Sequence, residues 1–288
     1  MKNKKRLLIL FSIVMALFLL SGCSMPMDEN GKIVQITDDT TFQYMMSNEG
    51  IFAAIFVYPL AKIINFLVPR TNILVAIAVV AIGVHTLITL LTWKSNIATQ
   101  KMQLIQPELA KIQKKYEGKD DQVSRMKMSQ EMQALYQKND INPMSSFVTM
   151  FIQFPVLIAM YHAVQRSEYV ANGTFMGLSL AKTPLQGLQE GNYGYMIIFL
   201  LMMLLYIVTM KVPTYLSEKR AKAKAEKQHR RYEKTANPMA SSMYFMVIFF
   251  GVLLINWPTA MSFYHCITSV VMIVKNIVVD HLVYKESE

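Results

Sequence analysis

The chain has 288 residues, of which 53% are hydrophobic and 17% charged. Soluble domains carry about 25% charged residues, so the deficit, gathered into long apolar runs, excludes an ordinary globular domain and points to a membrane protein. The formal net charge of +10 is segregated along the chain, and such charge reports topology and contact with anionic lipid or RNA.

Residues 1–22 read as a lipoprotein signal peptide and leave the fold argument. Lys2, Lys4, Lys5 and Arg6 form a basic start, and Leu7 to Leu20 form an apolar run too short for an ordinary span. Leu20-Ser21-Gly22-Cys23 then resembles the bacterial lipobox. Small residues ahead of the cut admit the backbone to a peptidase, and a thiolate is the nucleophile that takes a diacylglycerol. Cys23 is therefore expected to be the lipidated mature N-terminus, carrying acyl chains such as palmitate on the outer face of the cell membrane. Removing the four basic residues of this segment from +10 leaves +6. Cys266, the other cysteine, lies in an apolar run and has no disulfide partner left, so it reads as a small buried hydrophobe.

Residues 23–50 are polar and short of aliphatics, and read as an extracellular tether with little structure of its own. Residues 51–70 are apolar but broken by Pro59, Lys62 and Asn65. Ile55, Pro59, Ile63 and Phe66 share one face at helical spacing, which predicts an amphipathic helix in the outer interface. A core over 71–282 follows. Five spans are predicted, at Ile73–Trp93, Phe147–Val164, Tyr195–Met210, Met243–Ile255 and Thr259–Val279, with the last two separated only by Asn256-Trp257-Pro258. Residues 94–142 and the loop 211–241 each hold nine Lys and Arg, whereas the Gly-rich loop 165–194 has only Arg166 and Lys182. The positive-inside rule puts the two basic segments in the cytoplasm, in agreement with an outer lipid anchor. Residues 283–288 are a short cytoplasmic tail.

The first basic segment has its own pattern. Ile105, Leu109, Ile112 and Tyr116 repeat at helical spacing, Pro107 suits a helix start, and Gly118-Lys119-Asp120-Asp121 is a turn. Val123, Met126, Met132 and Leu135 form a less regular second apolar set. An antiparallel helical hairpin in the cytoplasm is the expectation. The fold class is therefore an all-α membrane protein, with five transmembrane helices, an outer-face amphipathic helix and a cytoplasmic helical hairpin.

This arrangement resembles the YidC/Oxa/Alb insertase family, in the short form that matures as a lipoprotein in monoderm bacteria. Asn142-Pro143 followed by Phe151-Ile152-Gln153-Phe154-Pro155-Val156-Leu157 and Met160-Tyr161 is similar to the family's second span. Pro258-Thr259-Ala260-Met261-Ser262-Phe263-Tyr264 resembles the family's Pro-Ala-Ala-x-x-x-Tyr start of the fifth span, with Thr259 for the first Ala. Gln100 to Tyr116, with Gln106-Pro107-Glu108-Leu109, resembles the start of its hairpin. The resemblance covers roughly residues 50–282 and is distributed rather than one sharp motif. It implies a hydrophilic groove open to lipid and cytoplasm, in which an Arg in the first span eases a client's polar or acidic segment into the bilayer. Here the pattern departs. Counting back from Leu91-Thr92-Trp93-Lys94, His85 occupies the Arg position, and Leu90 replaces the family's Pro.

An ionisable side chain inside a span is a functional-site hypothesis by default. His85 is that residue, and Thr89 and Thr92 share its face. Gln153, Tyr206, Thr209, Ser262, His265, Thr268 and Ser269 are the other polar candidates for the groove. The hydroxyls among them equally suit helix packing or a bond to the preceding turn, and His85 a neutral contact with a neighbouring hydroxyl. An Arg is always charged, whereas the charge of His85 is conditional, which suits polar clients with few acidic residues. Of the 23 methionines, Met126, Met128 and Met132 lie on the polar hairpin, where a flexible, polarisable side chain suits contact with varied apolar clients.

No glycine-rich phosphate loop and no His/Cys cluster at metal spacing occurs, so no enzyme, cofactor or metal is expected. Apart from Asp280, the spans hold no Asp or Glu, which argues against carboxylate-coupled transport. The expected function is insertion or folding of small membrane proteins. The alternatives are a dedicated assembly subunit of another complex and, from a different class, a small-solute transporter or channel. Expected partners are nascent membrane proteins and anionic lipid, with the Sec translocon as a further candidate, and the chain is expected to be a monomer. Ribosome tethering is expected to be weak, because Glu286 and Glu288 outweigh Lys285 in the tail.

Overall fold

The structure is a computed structural model that describes residues 25–227, 229 and 240–285. Helices dominate. They are α1 (Phe42–Asn48), α2 (Tyr58–Leu67, preceded by a π-helical turn Ala53–Val57 and followed by a 3-10 turn Val68–Arg70), α3 (Ile73–Leu91), α4 (Trp93–Leu104), α5 (Gln106–Lys115), α6 (Gln122–Lys138), α7 (Ser145–Arg166), α8 (Glu168–Ala171), α9 (Pro184–Gln189), α10 (Gly194–Lys227), α11 (Ala240–Leu254) and α12 (Thr259–Lys285). A two-stranded antiparallel hairpin pairs Thr174 with Ser179 and Phe175 with Leu178. Among the described residues, four stretches are long and apolar enough to cross a membrane, Ala53–Arg70, Ile73–Leu91, Gly194–Lys227 and Thr259–Val283. The 22 residues of α7 reach about 33 Å at the helical rise, against a hydrocarbon core of about 30 Å. The chain is an all-α membrane protein, and it divides into two compact units.

Unit 1 comprises residues 1–84, 151–199 and 255–264. Residues 25–50, expected to be a tether of little structure, are folded onto it. Ile36 and Met45 are fully buried, and Ile36 bridges to Ser167 in parallel fashion. The lock is Arg166, itself buried, which donates to both oxygens of Glu49 at 2.5 and 2.6 Å and from Nε to the Val34 carbonyl at 2.8 Å. A short polar segment thus gains order from distant partners rather than from its own apolar content. Ala53–Arg70 was expected to lie in the interface because Lys62 and Asn65 interrupt it. Both are satisfied by protein: Lys62 donates to the carbonyls of Thr37 and Asp38, and Asn65 donates to Ile36 O and accepts from Ser167 Oγ. Ala54, Val57, Ala61 and Ile64 are buried, while Ile55, Phe56, Ile63 and Phe66 are exposed. The face read as the apolar stripe is therefore the unpacked one, and the segment is apolar on both sides.

The connection into α12 also belongs to unit 1. Thr259 N and Oγ1 donate to Lys182 O, and Ala260 N to Leu180 O, so loop carbonyls satisfy the donors at the start of α12. Trp257 packs on Tyr161 with ring centroids 4.5 Å apart.

Unit 2 comprises residues 85–150, 200–254 and 265–288, and it holds both basic segments. The expected hairpin is α5 and α6. Pro107 sits in the first turn of α5, Gly118 takes a left-handed conformation (φ 76°), and Asp121 caps α6 by accepting from Ser124 N at 2.8 Å. Ile105, Leu109 and Ile141 form its core, with Met102, Met132, Leu135 and Tyr136 packed against them. Val123 and Met126 are exposed, so the second apolar set divides into a packed half and an open half.

Candidate functional site: a polar face in unit 2

The candidate site is built on one helical stripe. His85, Thr89, Thr92, Asn96 and Gln100 recur at spacings of four, three, four and four, the period that keeps side chains on one face. α3 ends at Leu91 and α4 begins at Trp93, yet the stripe continues through the junction. His85, Thr92, Asn96 and Gln100 are buried. Residues 94–104, expected to belong to the hairpin, thus carry part of the polar face through Asn96 and Gln100.

The hydroxyls of this face serve the helices. Thr89 Oγ1 donates to His85 O and Thr92 Oγ1 to Ile88 O, both at 2.7 Å. On α10, Thr209 Oγ1 donates to Leu205 O at 2.9 Å and reaches Ser269 O on α12 at 3.3 Å. Thr268 Oγ1 donates to His265 O at 3.2 Å. Such bonds to the preceding turn let a hydroxyl sit in a span with its donor satisfied. The remaining polar capacity lies with His85, Asn96, Gln100 and a residue absent from the sequence reading, Lys275.

Asn96 joins the two sides of the face. Its Nδ2 donates to Thr92 Oγ1 at 3.1 Å, and its Oδ1 lies 3.5 Å from Lys275 Nζ on α12. Lys275 lies close enough to His85 to act on it electrostatically, and His85 close enough to His265 to do the same. α12 therefore contributes His265 and Lys275 to the surroundings of the stripe, and Thr209 joins α10 to α12 at Ser269. Tyr206 packs its ring on Phe250. Gln153, half-buried on α7, and Ser262, buried on α12, belong to unit 1. On the hairpin, Met126 is exposed, Met128 half-buried, and Met132 packed into the hairpin core. Cys23 lies outside the described residues, and Cys266 is a half-buried free thiol.

Sequence reading missed Asn96, Gln100, Lys275 and the ion pair of Arg220 with Asp280. The first two had a signal, since they extend the His85 stripe at the same period. A single Lys ten residues before the end of a long helix reads as an anchor reaching for the interface. Among the described residues, no group of three or more His, Cys, Asp or Glu is arranged to hold a metal ion.

Comparison with known proteins gives a consistent result. Residues 63–286 match the model of a family described as 60Kd inner membrane protein. The chain is 31% identical over 267 residues to a protein named membrane protein insertase YidC 2 of Bacillus anthracis, covering 91% of this chain and 88% of that one. It is 29% identical over 279 residues to membrane protein insertase MisCA of Bacillus subtilis (96% and 92%), and 40% identical over 126 residues to membrane protein insertase YidC 1 of Streptococcus pyogenes serotype M1 (44% and 46%).

Proposed function

The chain belongs to the 60Kd inner membrane protein family, the YidC/Oxa/Alb family that its sequence resembles, and from that premise we propose that it is a membrane protein insertase that accepts a client's hydrophilic segment on the polar face around His85. It is a multi-pass protein of the cell membrane. A polar stretch of polypeptide is costly to place in hydrocarbon because its backbone and side-chain groups lose their water. A wet face carrying donors and acceptors offsets part of that cost, while the client's apolar segment leaves sideways into lipid. No covalent step is needed, so the protein acts as an insertase and folding aid rather than an enzyme.

The observation that carries this reading is the continuous stripe His85, Thr89, Thr92, Asn96 and Gln100, faced by Lys275 through Asn96. The basic segments 94–142 and 211–241 face the cytoplasm by the positive-inside rule, Cys23 anchors the mature N-terminus outside, and the protein works as a monomer, alone or beside the Sec translocon. The replacement of the family's Arg by His85 favours a second reading, a dedicated assembly subunit with a narrow client range. Complementation separates the two. The full chain, expressed in a monoderm strain depleted of its general insertase, is expected to restore growth and insertion of small membrane proteins. Failure to do so, with the protein stably present in the membrane, would leave the assembly role.

A further inference from the structure

Lys275 stands in a stretch, Thr259–Val283, that is long and apolar enough to cross a membrane. An ammonium there is costly unless something answers it. The two buried or nearly buried arginines each have a carboxylate of their own, Glu49 for Arg166 and Asp280 for Arg220. Among the described residues Lys275 forms no ion pair, and its hydrogen-bonding neighbour, Asn96 Oδ1, is neutral. Thr268, seven residues earlier, shares its helical face and is buried, whereas Val274, Ile277 and Val278 are exposed. The exposed, apolar side of α12 is the one suited to lipid. Lys275 points instead toward the Asn96–Thr92 stripe and is half-buried rather than enclosed, so a polar ligand can still reach it.

We propose that Lys275 is the cation of this polar face and that it receives an acidic side chain from the client's hydrophilic segment. The proposal rests on the insertase reading and names the residue that sets client choice within it. A lysine is a compact charge on a flexible stem with three donors, so it suits one carboxylate arriving in varied geometries. Its neighbours are amides and hydroxyls, which match the peptide groups and polar side chains around that carboxylate. His85, at the position where the family carries an Arg, is within electrostatic reach of Lys275. The positive charge of the face has therefore moved from α3 to α12 rather than disappeared, and acidic clients remain acceptable despite His85.

The test uses the full-length protein in proteoliposomes and two single-span model proteins, one with a neutral translocated segment and one with a single Asp in that segment. The quantity read is the ratio of Asp-bearing to neutral client inserted. Lys275→Met is expected to lower this ratio by about fivefold or more, the scale of one charge pair in a wet site. Lys275→Arg is expected to keep it, and His85→Arg placed in the Lys275→Met background is expected to restore it. An unchanged ratio in Lys275→Met overturns the proposal. So does an equal fall for both clients, the result for a lysine that serves a lipid phosphate or only the fold. Failure of the wild-type protein to insert either client would instead refute the insertase reading, and this proposal with it.

Discussion

Arg220 and Asp280 meet as a two-pronged ion pair: Nε donates to Oδ1 at 2.7 Å, while Nη2 donates to Oδ2 and, at 2.9 Å, to the carbonyl oxygen of Asp280. The pair ties α10 to α12 within unit 2. Both side chains are largely withdrawn from solvent, at 16% and 8% exposure, so removing one takes the opposite charge from the other where water reaches poorly. Asp280→Ala is expected to cost about 2 kcal/mol, somewhat less than for a fully buried pair. Arg220→Ala together with Asp280→Ala should cost clearly less than the sum of the single changes. Thermal melting of the four proteins in one detergent measures this, and strict additivity would show that the pair contributes no coupling.

A second ion pair governs the segment ahead of Ala53. Arg166 is 1% exposed and Glu49 11%, and the same guanidinium also holds Val34 O. Glu49→Ala should therefore release residues 25–48 from unit 1 while the spans stay intact. Limited proteolysis from outside the membrane is expected to cut this segment several-fold faster in the variant, and Arg166→Lys should behave in the same direction because it loses the fork geometry. Equal cleavage rates in wild type and Glu49→Ala would remove Arg166 from the role of lock.

The long apolar helices at Ile73–Leu91, Gly194–Lys227 and Thr259–Val283 and the helices of the hairpin were legible because local run length, periodicity and charge carry them, whereas Ala53–Arg70 joins the stretches long and apolar enough to cross a membrane although its polar interruptions had argued against a span. Ile105, Leu109 and the turn at Gly118 are of this kind, as is the His85–Thr89–Thr92 face. What was not legible depends on partners far apart in sequence. Glu49 and Arg166 are 117 residues apart, and nothing local in a polar segment with Asp38 and Glu49 signals that Ile36 and Met45 will be buried. Lys62 and Asn65 read as interruptions of an apolar run until their acceptors, the carbonyls of Thr37, Asp38 and Ile36, are known. Lys275 was overlooked for the opposite reason. Its interest is that no carboxylate among the described residues pairs with it, a property of three-dimensional surroundings rather than of spacing.

Lys115 Nζ and Tyr116 OH both donate to Glu131 Oε1, at 2.6 and 2.8 Å, linking the two helices of the hairpin. The bond from Lys115, and then that from Tyr116, holds the Glu131 carboxyl below its ordinary value. The bond to Glu131 likewise pushes both Lys115 and Tyr116 up. A depressed carboxylate contributes stability above its unfolded value, about 4.3, and loses it as pH falls through the folded value. The raised donors contribute below their unfolded values, about 10, and lose it as pH rises through the folded ones. The link is thus complete from about pH 5 to about pH 9, and weakens on either side. Amide exchange at the contact between α5 and α6 should be slowest in that window. The Glu131→Gln protein should show a flatter profile, and an unchanged profile would assign the pH dependence to other groups.

Cys23 is expected to carry the lipid anchor. In cells fed a fatty-acid probe, Cys23→Ala should remain unlabelled and run as a larger precursor, while the wild-type protein is labelled and processed. Normal labelling of the Cys23→Ala protein would place the acyl group on another residue.

The methionines of the hairpin make separable predictions, because Met132 packs with Ile105, Leu109 and Ile141, whereas Met126 is 55% exposed beside Val123 at the same exposure. Truncating a packed methionine removes buried surface and leaves a cavity, so Met132→Ala should destabilise the hairpin by about 2 kcal/mol, toward the low end for a site packed on one side. Amide exchange in α5 and α6 would report it. Met126→Ser leaves the hairpin core untouched and should change exchange little. Its effect is expected on clients instead: an exposed, flexible thioether next to a valine suits transient contact with varied apolar segments. A photo-crosslinker at Gln122 or Gln130, either side of this patch, should capture a nascent single-span protein in wild type and markedly less of it in Met126→Ser. If crosslinking is equal in the two while Met132→Ala lowers it, clients sense only whether the hairpin is folded, and the exposed patch at Val123 and Met126 has no part in receiving them.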